Sequence, residues 1–325
     1  MAEVFDTLLL LALPASGKSE VRTYLTAKDP ARFHMGPTVQ IDDYPYVHLQ
    51  IRVDDELDSM GLPRAFHDSA GGPFRDPHEW GALVHLLAED YRELRAGEAE
   101  LPPARKAAVR LFERFDAASA AAGGKLKFRR MDPEVRGELA AALEDEAIQL
   151  FEEKAGNLPD TLEGKTIVIE FARGGPEGPL PLPSGYGYLG SLPCFSDDLL
   201  QRAAILYIWV DPEESRRKNR ARARPDGQGS ILFHGTPEPV MLREYGQDDM
   251  AWLLERSDLP DTVRIERRGQ VFHIPTARFD NRVDKTSFLR EPPESWRDED
   301  VAAIHSGLEE ACDRLWAAST KLRSK

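Results

Sequence analysis

The chain has 325 residues, 41% hydrophobic and 30% charged, with a formal net charge of −14. Those figures exclude a disordered chain and leave room for one large α/β domain or two ordinary ones. So acidic a surface repels polynucleotides, which disfavours a nucleic-acid partner and confines any phosphate site to a local basic pocket.

The first element is the apolar run Leu8–Leu13, preceded by Glu3 and Asp6. A secretory signal needs a basic leader and a small-residue cleavage site, so the run is expected to be a buried strand. No stretch approaches the ~20 apolar residues that span a bilayer. The two cysteines, Cys194 and Cys312, have no metal-type spacing, and a cytoplasmic, reducing location with no membrane partner is expected.

The run passes into Pro14-Ala15-Ser16-Gly17-Lys18-Ser19 and then into a helical pattern over 18–27, with Val21, Tyr24 and Leu25 at inward spacing. Gly17, Lys18 and Ser19 fit the phosphate-loop pattern G-x-x-x-x-G-K-[ST], with Ala12 in place of the first glycine. Successive N–H groups of a loop entering a helix form a concave anion site, reinforced by the helix dipole. Nucleotide contacts are therefore expected from Pro14 to Glu20. Lys18 would set its ammonium against the β- and γ-phosphates, and the Ser19 hydroxyl would complete the coordination of a bridging Mg²⁺. Ala12 would conflict with a backbone that needed positive φ there.

A second strand, over 38–41, delivers Asp42-Asp43-Tyr44 at its carboxyl end, where functional groups of parallel sheets collect. Adjacent strand residues face opposite ways, so one of the two acids faces the site. Asp42 is either a general base toward an attacking hydroxyl or a turn and cap residue; Asp43 is assigned to the acceptor. Residues 47–76 read as a long irregular connection in which His67 and Asp68 sit. Helical patterns follow over 78–95, 104–121 and 133–154, making 47–160 a helical insertion that would bind the acceptor. The basic run Lys125, Lys127, Arg129, Arg130 is either a solvated loop or an anion contact.

Thr166–Ala172 reads as a parallel strand buried on both faces, with one acid, Glu170, near its end to hold Mg²⁺ through water. Arg173-Gly174-Gly175 would leave it as a flexible turn, offering Arg173 to a substrate anion or hydroxyl; the structural alternative is that Glu170 and Arg173 pair with each other or cap neighbours. Pro176–Pro183 is extended. Another buried strand spans 203–210, then a helix over 213–224 that begins acidic and ends basic. Arg216, Arg220 and Arg224 recur at i, i+4 and i+8 on nearly one face, an arrangement that wants an anion. A Gly- and Pro-rich flap at 225–239, containing His234, completes a lid-like segment over 213–245. A helix over 247–256, short strands over 262–266 and 271–274, the segment Pro275–Asn281 and a closing helix over 298–322 finish the chain.

Taken together, Leu13–Ser19, Asp42-Asp43-Tyr44, Glu170 with Arg173-Gly174-Gly175, the arginine helix and Phe279-Asp280-Asn281 resemble the P-loop (Walker A) kinases of the nucleoside, nucleotide, shikimate and gluconate type. The acidic motif is also similar to that of polynucleotide 5′-hydroxyl kinases, although Pro45 stands where those carry a basic residue, which argues against an oligonucleotide acceptor. The resemblance implies a single α/β domain over 1–325, a three-layer P-loop NTPase sandwich with a mostly parallel five-stranded sheet. It places the Glu170 strand beside the loop strand, Asp42 as base, Arg220 and Arg224 around the transferring phosphoryl group, Arg216 at the substrate and Asn281 near the adenine. The implied activity is Mg²⁺- and ATP-dependent phosphorylation of a hydroxyl on a small-molecule or nucleoside-like acceptor. Two other classes fit the same residues: an ATPase or switch in which Glu170 orients water, and a degenerate loop that binds nucleotide without chemistry.

Overall fold

A computed structural model describes residues 3–222 and 235–323. In chain order the elements are β1 (Thr7–Ala12), α1 (Lys18–Thr26), α2 (Pro30–Phe33), β2 (Thr38–Asp42), α3 (Tyr44–Ser59), α4 (Glu79–Ala96), α5 (Ala107–Ala121), α6 (Pro133–Gly156) and β3 (Thr166–Ala172). They continue with α7 (Gly187–Ser191), α8 (Asp197–Arg202), β4 (Ala203–Trp209), α9 (Pro212–Arg222), α10 (Glu238–Glu244), α11 (Met250–Arg256), β5 (Thr262–Arg267), β6 (Gln270–Asp280) and α12 (Asp298–Arg323). The chain divides into two compact units, one of Met1–Gln40, Leu162–Leu182 and Asp197–Lys325, the other of Ile41–Thr161 and Pro183–Ser196.

The first unit is built on an α/β sheet in the order β2-β3-β1-β4-β6-β5. β1 lies parallel between β3 and β4, and β4 is parallel to β6. All six residues of β1 are buried, the signature of a strand covered on both faces. The sheet has six strands where five were expected. The addition is β5, which runs antiparallel to β6, and Arg268 and Gly269 turn between them at φ 51° and 78°, the positive-φ pair of a tight hairpin. β6 also continues past Ile274 to Asp280, because Thr276 to Asp280 pair with Ile205 to Trp209. One face of the sheet, through Leu8, Leu10, Val168, Leu206 and Phe279, packs on Val21, Tyr24 and Leu25 of α1 and on Ile304, Leu308 and Leu315 of α12. Cys312, on that face of α12, has its thiol pushed up to about 12 by burial, with Asp313 adding to the shift. That makes it an inert core residue.

The second unit is helical. Leu83, Leu87 and Tyr91 of α4, Leu111, Phe112 and Phe115 of α5, and Leu139, Leu143 and Leu150 of α6 are buried at helical spacing. Phe112 stacks on Phe128 with centroids 4.1 Å apart. Residues 44–59 form α3, which occupies the first part of the stretch 47–76 expected to be irregular. Pro45 sits in its first turn, where a missing N–H costs nothing, and its buried face of Tyr46, Leu49, Gln50, Val53, Asp54 and Leu57 contains two polar residues that masked the apolar period. The basic run is likewise no simple solvated loop. Asp116 accepts from the backbone N–H groups of Lys127, Phe128 and Arg129, and Lys127 Nζ pairs with buried Glu79. No described helix is long and apolar enough to cross a membrane.

Candidate functional site

The loop between β1 and α1 lies at the carboxyl end of a central strand. Ala12 is still within β1, paired with Ala172, and its φ is not positive, so alanine meets no steric conflict there. The positive φ values fall at Ala15 (55°) and Gly17 (95°). Alternation of left-handed and ordinary residues turns successive N–H groups toward one side, which is the geometry of an anion nest. For Ala15 that conformation costs about 1–2 kcal/mol. Gly17 is required twice over, by its φ and because a Cβ there would meet Thr286 Oγ1 at 2.3 Å. Its carbonyl accepts from Val21 N at 2.9 Å, starting α1 directly from the loop.

Lys18, Ser19 and Glu20 form the first turn of α1, each partly exposed. Ser19 Oγ donates to Glu170 Oε1 at 3.1 Å, and Arg22 Nε contacts Glu170 Oε2 at 3.3 Å. Glu170 reaches them because it is paired with Leu10 and shares that residue's α1-facing side of the sheet. Glu20 is engaged by Arg290 Nε at 2.5 Å. Ser19 Oγ and Glu170 are the oxygens here that could hold a cation. Among the described residues no group of three or more His, Cys, Asp or Glu that could hold a metal ion is found.

The cations of α9 lie in different surroundings. Arg217 is held by Glu214 at 2.6 and 2.7 Å, and Arg220 is exposed. Arg216 is half-buried and has no ion pair among the described residues, while Arg224 and His234 lie outside them. The buried face of α9 is Ser215, Lys218 and Asn219. Arg222 continues that face at i+3 and i+4 spacing. Burial pulls its guanidinium below the ordinary value, with Arg290 adding to the fall and Glu20 and Glu170 opposing it. Arg222 is thus a cation of α9 in the electrostatic environment of the loop helix. The sequence signal that could have found this face is the row Ser215, Lys218, Asn219 at helical spacing.

Asn281 is wholly buried, and its side chain is used by the protein: Nδ2 donates to Ser16 O at 2.8 Å and to Thr286 Oγ1 at 2.9 Å, while Oδ1 accepts from Lys285 N at 2.7 Å. It holds the loop through the Ser16 carbonyl, its side chain engaged within the protein. Arg173 is 1% exposed, its guanidinium 4.8 Å from the Phe171 ring centroid and its Nη1 donating to Ala172 O at 2.6 Å. Glu170 is engaged instead by Ser19 and Arg22. Gly174 and Gly175 are no flexible turn. Gly175 exchanges two backbone hydrogen bonds with Gln247, of 2.9 and 3.2 Å, and a Cβ at Gly174 would meet Gln247 O at 2.6 Å. Next to this bridge Asp248, which no motif marked, accepts from Tyr207 Oη at 2.6 Å, and burial pushes its carboxyl up to about 6.

In the second unit, Asp42 ends β2 and its Oδ1 accepts from Tyr44 N at 3.1 Å, with Asp43 immediately before α3. His67 is tied to Asp54 through Nδ1 at 2.8 Å and stacked on Phe74. Comparison of the chain with models of known families, with curated proteins and with solved structures finds no match in any of the three.

Proposed function

We propose that the protein is a Mg²⁺·ATP-dependent phosphotransferase of the P-loop kinase type, acting on a hydroxyl of a small-molecule or nucleoside-like acceptor. The reading extends to the three-layer P-loop sandwich that goes with such enzymes. The observation that carries it is the loop itself. Left-handed Ala15 and Gly17 precede a helix whose first residues are Lys18 and Ser19, with Glu170 at 3.1 Å from the serine hydroxyl.

In this reading the loop amides and Lys18 bind the β- and γ-phosphates, and Arg222 supplies a further positive charge as negative charge shifts toward the leaving oxygen. Ser19 and Glu170 would hold the Mg²⁺, which would neutralise charge on the β- and γ-phosphates. The acceptor oxygen forms the new bond to the γ-phosphorus, the β–γ bridging bond breaks, and ADP departs. The acceptor's proton passes to Asp42, assigned as base from its place in the sequence, while Asp43, Arg173 and Arg216 are the sequence's candidates for the acceptor.

The test is mass spectrometry of a metabolite extract incubated with Mg²⁺·ATP and either the native protein or Lys18→Ala. A phosphorylated metabolite made by the native protein alone is the expected result and identifies the acceptor. A second reading, an ATPase or switch, draws on Glu170, an acid within reach of the loop helix that could orient water. Lys18-dependent release of inorganic phosphate with no phosphorylated metabolite would select it. Full activity of Lys18→Ala would remove both.

A further inference from the structure

The loop is held in an unfavourable shape by side chains from far along the chain. Ala15 is left-handed, and Ser16 Oγ is buried without a hydrogen-bond partner among the described residues. Features of this kind persist only where the surroundings over-determine them. The surroundings here are two donors. Ser215 Oγ, on the first turn of α9, donates to Pro14 O at 2.7 Å, and Asn281 Nδ2, just past β6, donates to Ser16 O at 2.8 Å.

A trans peptide is planar, with its C=O and the following N–H pointing in opposite directions. Anchoring Pro14 O therefore turns the Ala15 N–H away from α9, and anchoring Ser16 O turns the Gly17 N–H away from Asn281. The two anchors are themselves connected. Asp284 accepts from Thr286 N and Ser287 N, both at 3.1 Å, and pairs with Lys218 Nζ at 2.9 Å, one turn along α9 from Ser215. Thr286, wholly buried, fills the space that Gly17 leaves. The Asp284 carboxyl lies far below the usual carboxylate range, burial being outweighed by Ser287, Lys218 and the Thr286 N–H.

We propose that Ser215, Lys218, Asn281, Asp284 and Thr286 form a brace of positioning residues that presets the loop amides for phosphate before any ligand arrives, and that fixes α9, hence Arg222, against the same loop. The proposal rests on the nucleotide reading above. None of the five residues need touch the ligand. They act through the loop backbone, so they set affinity for phosphate more than stability of the fold.

Calorimetry with Mg²⁺·ATP, and with pyrophosphate as a probe of the loop alone, tests it on the full chain. Ser215→Ala, Lys218→Met and Asn281→Ser, each checked for native circular dichroism and melting, are expected to weaken pyrophosphate about tenfold, the loss of roughly one buried hydrogen bond. The KM for ATP should rise in parallel while the acceptor KM stays, and Ser215→Thr should restore binding. Should Asn281→Ser fail to fold, Ser215→Ala and Lys218→Met carry the test, because both keep the packed stem. Folded variants that bind pyrophosphate like the native protein would overturn the brace while leaving the nucleotide reading intact. A native protein that binds neither ligand would overturn both.

Discussion

Arg114 in the helical unit and Asn281 in the sheet unit are both buried polar side chains, at 2% and 0% exposure, yet they are used in different ways. Arg114 meets opposite charges, Glu89 and Asp90, both at 2.9 Å, and the Tyr46 hydroxyl at 2.8 Å. Glu79, 1% exposed, is likewise met by Lys127 and Ser119. Those are helix-to-helix networks in which charge is neutralised within the core. Asn281 and Ser215 instead hold backbone carbonyls of a loop that keeps a left-handed alanine and a hydroxyl unpaired among the described residues. Charge satisfied in place stabilises a fold; backbone held in a costly shape orients donors for something else.

That contrast can be broken by mutation. The largest effect is expected at Lys18→Ala, which should lower turnover by about 10²–10³-fold, as loss of one preorganised charge donor does, with little change in melting. Arg114→Leu should do the reverse. It leaves Glu89 and Asp90 without their shared partner and is expected to cost about 3–5 kcal/mol in denaturant unfolding. A cost below about 1 kcal/mol there would mean that the helical unit does not depend on its ionic network. Within α9, Arg222→Ala is expected to lower kcat about tenfold and Arg220→Ala less than twofold, a ratio measured by steady-state kinetics. Equal effects would return the outward face to consideration.

The smallest expected effect concerns pH. The carboxyl of Asp248, raised to about 6, favours its protonated form in the folded chain. Its contribution is fully present below the unfolded value near pH 4 and is lost as pH rises through about 6. Asp248→Asn should therefore raise the melting temperature at pH 8 and leave it unchanged at pH 4, provided the Tyr207 hydroxyl keeps its partner. A melting profile that Asp248→Asn shifts equally at both pH values would assign the carboxylate a purely packing role.

Much of the sheet can be traced in the sequence because apolar runs such as Leu8–Leu13 and Ile167–Ile169 have no other soluble use than a doubly covered strand. The loop and α1 were equally readable, since Gly17, Lys18 and Val21, Tyr24, Leu25 follow one another locally. α3 was hidden by polar residues on its buried face; both strands of the β5–β6 hairpin were legible, but the continuation of β6 to Asp280 was not, because it rests on pairing with β4, remote in the chain.

By itself, then, the sequence determined the elements whose periods are local and the loop whose residue types are adjacent. Only the tertiary structure decided which face of α9 turns inward, which carboxylate stands beside Ser19, and that Asn281 reaches back across 265 positions to hold Ser16. Those outcomes depend on register between strands remote in the chain, where a one-residue shift would carry Glu170 to the other face.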